Sequence, residues 1–169
     1  FMGGVVLGWA PWGRLPGPYL VSADSRSIEP QGVMAARWAR SDLGPDNRLI
    51  ADRTNTWLMG SYGGQRVVTA FVDHVGVWPP FFTPAWDALD RRTVRDGRIR
   101  YIVVDLRIST SLPRVGLYVE RGEVDELRHQ QVVPLVALTK FATMRGVSRP
   151  FDSGDIAMYD VGALADASP

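Results

Sequence analysis

The feature that most constrains this chain is a set of short apolar runs, each stopped by a turn or an aspartate and separated by stretches long enough for a helix. Ile99-Arg100-Tyr101-Ile102-Val103-Val104-Asp105 is the clearest, rich in β-branched and aromatic residues. Tyr101 to Val104 are apolar without alternation, the signature of a strand covered on both faces. Arg48-Leu49-Ile50-Ala51, stopped by Asp52, has the same shape, and Gln65-Arg66-Val67-Val68-Thr69-Ala70 supplies another such run. Helices are expected between them. One at about 28–42 starts from Ser27 as N-cap, carries Val33, Met34, Ala36, Trp38 and Leu43, and ends at Gly44-Pro45. A second is capped by Thr54 or Asn55, carries Trp57, Leu58 and Tyr62, and stops at Gly63-Gly64. This makes a βαβ unit, for which a right-handed crossover is expected.

Residues 71–83 read as irregular. Thr83-Pro84 predicts the start of a third helix, a hydroxyl cap with proline at the first helical position, running through Trp86, Leu89 and Val94 to Gly97. Ser109 to Pro113 reads as a loop, Val115 to Val119 as a further strand, and 120–131 as a polar, exposed stretch. Pro134 opens a helix through Leu138, Phe141 and Met144, closed by Gly146. Val147–Asp152 and Asp155–Val161 face each other across Ser153-Gly154, a two-residue hairpin signal. The whole pattern predicts an α/β fold: a three-layer α/β/α sandwich with a mixed, mostly parallel sheet of about five strands and the C-terminal hairpin at one edge. Residues 27–164 form the single domain in this reading. Residues 1–26, rich in Gly, Pro and Trp, form an extended arm over it, and 165–169 a frayed tail.

Composition narrows the function classes. A chain of 169 residues with 46% hydrophobic and 22% charged residues can bury a real core. A net charge of +1 gives no field for nucleic acid, and no such partner is expected. Lys140 is the only lysine against eighteen arginines, scattered along the chain, which reads as a GC-rich coding bias. With no cysteine there are no disulfides, thiolate metal sites or cysteine nucleophiles. No stretch reaches the ~20 apolar residues of a membrane helix. The apolar opening Phe1-Met2-Gly3-Gly4-Val5-Val6-Leu7-Gly8-Trp9 is no signal peptide, and it leads us to expect a preceding hydrophobic segment.

Several segments carry a family likeness: Arg14-Leu15-Pro16-Gly17-Pro18-Tyr19-Leu20-Val21, Ala51-Asp52-Arg53-Thr54-Asn55 with Tyr62-Gly63-Gly64-Gln65, and Tyr101 to Asp105. Thr110 to Gly116, Phe151 to Ile156 and Met158 to Val161 extend it. Together they resemble the soluble C-terminal region of actinobacterial polytopic membrane proteins, themselves similar to multi-spanning membrane glycosyltransferases that use lipid-linked sugar donors. The resemblance spans nearly the whole chain and contains no catalytic signature. It implies a domain tethered on the extracytoplasmic face of the cell membrane, as part of an integral membrane protein. Cell-envelope glycan or the membrane portion of the same protein would be its partner. In that class the chemistry lies in acidic residues of loops between membrane helices, so no catalytic residue carries over.

From the residues themselves, one candidate site is the carboxyl end of the sheet, where open α/β sheets bind ligands. Asp52, Arg53 and Asn55 follow the first strand, Asp73 and His74 the second, Asp105 and Arg107 the third. The opposing reading is that strand-end aspartates cap helices and pair with arginines. His74 with Asp73 and Asp105 has the chemistry of a metal site, but His74 and His129 lie in no helical ligand motif, so neither metal nor cofactor is expected. Gly60-Ser61-Tyr62-Gly63 is one residue short of a nucleophile elbow, and no phosphate-binding glycine loop is present. Aromatic residues form the other candidate set. Trp9, Trp12, Trp78, Phe81 and Phe82 fall in Gly/Pro-rich segments, where they would stack on sugars, sit at a membrane interface, or fold back into the core. Trp38, Trp57 and Trp86 fall on helix faces and read as core. Three functions stay open: a non-catalytic accessory domain binding acceptor glycan or a partner, a hydrolase or transferase using the strand-end cluster, and a purely structural domain.

Overall fold

The computed structural model describes residues 18–165. A 3-10 turn at Asp24–Ser27 leads into α1 (Pro30–Trp38), β1 (Arg48–Ile50), α2 (Arg53–Ser61), β2 (Arg66–Val67), α3 (Ala70–Asp73), α4 (Pro79–Phe82) and α5 (Ala88–Gly97). After β3 (Tyr101–Asp105) come a 3-10 turn at Leu106–Ser109, a long loop, α6 (Leu135–Thr139), β4 (Ser148–Asp152), β5 (Ile156–Asp160) and α7 (Gly162–Ala165). Among these residues no helix is long and apolar enough to cross a membrane.

The strands form one sheet of five in the order β2-β1-β3-β5-β4. β1 pairs in parallel with both β2 and β3. β5 runs against β3, and β4 against β5, so β4 points with the parallel three. The fold is therefore α/β, with the hairpin at the edge as the Ser153-Gly154 turn predicts. Edge strand β4 is blunted by exposed Arg149 and Pro150.

Period-two alternation divides the sheet into two apolar faces. Ile50, Ile102, Val104, Ala157 and Tyr159 face one core, filled by Phe81, Val94, Leu138 and Phe141 of the helices on that side. Leu49, Ala51, Tyr101, Val103, Ile156 and Met158 face the other, under Ala35, Ala36 and Ala39 of α1 with its extension and Leu58 and Met59 of α2. Each fully buried Val, Leu or Ile contributes about 1.5–3 kcal/mol. The three alanines let α1 lie close on the sheet, and Gly32 lets α1 and α2 meet: a Cβ there would stand 2.7 Å from Leu58 Cδ1.

The caps differ from the sequence expectation in an instructive way. Glu29, not Ser27, caps α1, accepting from Gln31 N and Gly32 N ahead of the proline at the first helical position. The Ser27 hydroxyl is taken by Ala23 N and Leu20 O. α1 continues as a π-helical turn over Ala39–Leu43 and ends at Gly44, φ 76°. Asp52, not Thr54 or Asn55, caps α2, because one carboxylate oxygen accepts from both Thr54 N and Asn55 N. At the other end of α2 a Cβ on Gly63 would stand 2.6 Å from Met59 O, so glycine is required where the helix closes.

Two expectations fail outright and a third holds only in part. Thr83-Pro84 does not start a helix. α5 begins after Asp87, which forms a capping box with Asp90. The Thr83 hydroxyl instead donates to Asp90 and accepts from Lys140 Nζ. Strand two is shortened to Arg66–Val67, because the Thr69 hydroxyl caps α3 through Val72 N. Val115 to Val119 is no strand: Gly116 takes φ 78°, and the amides of Tyr118 and Val119 go to the Glu123 carboxylate instead of a neighbouring strand. Most of 120–131 is exposed as expected, but that same carboxylate is the exception within it. Glu123 is buried, also accepts from Glu120 N, and lies 2.8 Å from His129 Nε2. Glu120 bonds Ala70 N and Val77 N, tying this loop to α3 and the segment after it.

Candidate functional site

The parallel strands β1 and β3 separate two chain directions: β1 leads through α2 to β2 on one side, and β3 lies on the other. In an open α/β sheet this is the crevice where ligands bind. Asp52 and Asp105 emerge there, each 2% exposed. Asp52 also accepts from Asn55 Nδ2 at 2.6 Å. Asp105 accepts from Arg107 N, Nε and Nη2, the last at 2.7 Å. Arg107 Nη2 reaches Glu29 Oε1 at 3.0 Å. Its guanidinium lies 4.0 Å from the centre of the Tyr19 ring, whose hydroxyl points to Asp105 Oδ2 at 3.5 Å. Asn55 Oδ1 is buried without a hydrogen-bond partner.

The electrostatics follow from this crowding. Burial, then the charge of Asp105, push the Asp52 carboxyl up to about 7, against the opposing hydrogen bonds from Asn55 and Thr54. Burial works against the Arg107 charge, yet the bonds and charge of Asp105 outweigh it and hold the guanidinium ionised. Burial would raise Glu29, but the Gln31 and Gly32 amides and Arg107 together bring it below the usual carboxylate range. Burial and Asp105 push the Tyr19 hydroxyl well above the ordinary phenol range.

The cluster thus unites Asp52, Asn55, Asp105 and Arg107. Arg53 stands at its margin, its side chain turned to Asp24 at 3.4 Å. Asp73 and His74 are not brought in. Asp73 accepts from Arg48 Nη2 at 2.7 Å, at the first residue of β1, the opposite end of the strand. His74 follows it, exposed in a left-handed conformation. Among the described residues no group of three His, Asp or Glu is placed to hold a metal ion. Glu29 and Tyr19, absent from the sequence candidates, belong to the cluster. Glu29-Pro30 carries a readable cap signal; Tyr19 joins through a long-range contact with no local signature.

The aromatic candidates part company. Phe81 is fully buried, and Trp78 and Phe82 pack against the same core. Phe82 stacks on His129 with ring centroids 6.0 Å apart. Trp9 and Trp12 lie outside the described residues. Trp38 and Trp86 pack against the two cores as expected, but Trp57 is 67% exposed. It shares a groove of ≈ 980 Å³ with Phe71, 91% exposed, and Val72, 71% exposed. The groove runs along α2 from Arg53 to Ser61, over Val67 of edge strand β2, and is walled by α3 and residues 117–121. It is concave, mostly apolar and set with a few polar groups, the usual make-up of a ligand site. Sequence reasoning missed it because Trp57 falls at a helical spacing that reads as core, while Phe71 sits in a segment read as irregular. No protein-family model, curated protein or solved structure matches this chain.

Proposed function

We propose that this chain is a non-catalytic binding domain, carried on the extracytoplasmic face by a membrane protein resembling the multi-spanning glycosyltransferases, and that its groove holds acceptor glycan. The observation that carries the reading is the exposure of Trp57 and Phe71 inside one concavity. Large exposed aromatic surface is costly in water and marks interaction sites. A sugar ring offers C–H faces to these rings and hydroxyls to the polar groups around them. The membrane setting rests on the sequence resemblance alone.

The strand-end cluster supports the same reading from the other side. Asp52, Glu29 and Asp105 spend their oxygens on three helix or turn N-termini, on Asn55 and on Arg107. A carboxylate so occupied holds the fold together and has little left for a substrate. The single observation favouring a hydrolase or transferase is Asp52, whose carboxyl near 7 beside Asp105 suits proton transfer.

Calorimetric titration with a panel of soluble cell-envelope oligosaccharides tests the proposal. Trp57→Ala and Phe71→Ala should each weaken binding more than about tenfold, ~1.4 kcal/mol, and leave thermal stability nearly unchanged. Binding that survives both substitutions, or no binding to any member of the panel, overturns the glycan reading. Glycosidic turnover that disappears in Asp52→Asn would establish the hydrolase in its place.

A further inference from the structure

The groove carries more than aromatic surface: two arginines and one glutamate lie in its lining. Among the described residues Arg121, exposed at one wall, has neither hydrogen bond nor ion pair. Arg53, at the head of the groove, meets only Asp24, at 3.4 Å with both side chains partly exposed. Such a pair is weak and screened, so a ligand carboxylate can replace it. Glu120 is the one acid in the lining, and its two oxygens are turned to the amides of Ala70 and Val77. The charged side chains of the lining that are left to a ligand are those of Arg53 and Arg121.

The hydroxyls in the lining point to a sugar and not to an apolar peptide. Thr56 donates to Ala51 O and Ser61 to Trp57 O, which leaves both oxygens free to accept. Thr69 accepts from Val72 N, which leaves its proton free to donate. Burying these groups under an apolar chain would leave the Thr69 proton unmatched, at a cost. A saccharide matches them with its own hydroxyls while covering Trp57 and Phe71.

We infer that the groove selects an acidic saccharide, with a sugar ring on Trp57 or Phe71 and a sugar carboxylate held by Arg53 and Arg121. The planar guanidinium fork binds a carboxylate through two parallel N–H donors. This rests on the glycan reading above, and the test separates the two. The probes are a galacturonic acid oligosaccharide, its carboxyl-reduced neutral counterpart of the same linkage, and an oligoglutamate peptide of equal charge, each titrated calorimetrically at low and high salt.

The acidic oligosaccharide should bind at least tenfold tighter than the neutral one, and the difference should shrink with salt. Arg121→Gln should remove most of it, and Arg53→Gln part of it. Equal affinity for the charged and neutral oligosaccharides overturns charge selection while leaving glycan binding in place. Equal affinity for the peptide overturns the sugar. No binding by either oligosaccharide overturns both this inference and the glycan reading.

Discussion

Asp52→Asn is the substitution whose effect can be worked furthest from the structure. Asparagine is as good an N-cap as aspartate, so the bonds from Thr54 N and Asn55 N survive. What the change removes is a titration. The folded carboxyl sits near 7, against about 3.9 for an aspartate in water. A carboxyl raised on folding favours the folded state while both states are protonated. That advantage is lost as pH climbs from about 4 through about 7, because the unfolded chain releases its proton first. Three units at 1.36 kcal/mol each set a ceiling of about 4 kcal/mol, and about 2–4 kcal/mol is expected after the site relaxes. The variant's own N–H faces Asn55, whose amide must turn over so that its Oδ1 accepts and one bond between the two side chains is kept. Urea unfolding followed by tryptophan fluorescence at half-unit steps from pH 4 to 8 gives both stability curves. The wild type should lose ground to Asp52→Asn steadily across this range and be the less stable protein at pH 8. Because Asp90 and Glu120 titrate in both proteins, the difference curve isolates Asp52. A flat difference curve would refute the coupling between Asp52, its burial and Asp105.

Other perturbations have equally definite outcomes. Lys140 spends its three donors on Thr83 O, Thr83 Oγ1 and Asp90 Oδ2. Lys140→Ala should therefore cost about 3–5 kcal/mol in urea unfolding by stranding the buried Asp90 carboxylate, and Lys140→Met with Asp90→Asn should recover much of it. Gly63→Ala should lower stability by about 1–3 kcal/mol, since the new Cβ meets Met59 O at 2.6 Å; a neutral result in thermal melting would mean the helix end shifts freely. Glu123→Ala should release the amides of Tyr118, Val119 and Glu120. Hydrogen exchange at those positions should accelerate at least tenfold while the amides of β3 stay protected.

The centre of the sheet was legible in the sequence because β1, β3 and β5 are buried on both sides, and an unbroken run such as Tyr101 to Val104 has few other uses. The Ser153-Gly154 hairpin was legible because its turn chemistry is local. Thr83-Pro84 misled because a hydroxyl before proline is only half of a cap; the decisive partner was Lys140, fifty-seven residues away in the chain. Val115 to Val119 misled because its apolar pattern reports burial, and burial here comes from a turn held by the Glu123 carboxylate. At the candidate site, Asp52, Asn55, Asp105 and Arg107 were named from strand ends alone. Asp73 was named on the same grounds and went to Arg48, because the two-residue β2 ends early and turns into α3. Trp57 shows the limit of periodicity: helical spacing says which side chains share a face, and not whether another layer covers that face.

The fastening of Tyr19 has a mechanical consequence. Tension applied to the chain at Pro18 would enter the domain through three linked attachments. One is the Tyr19 ring on Arg107, another is the pair of backbone bonds from Arg114 and Val115 to Val21 and Ser22, and the third is the Arg26 guanidinium on Pro18 O. Arg107 passes part of that load to Asp105 at the tip of β3 and part to Glu29 at the head of α1. The domain is thus loaded at its central strand instead of being peeled from its edge.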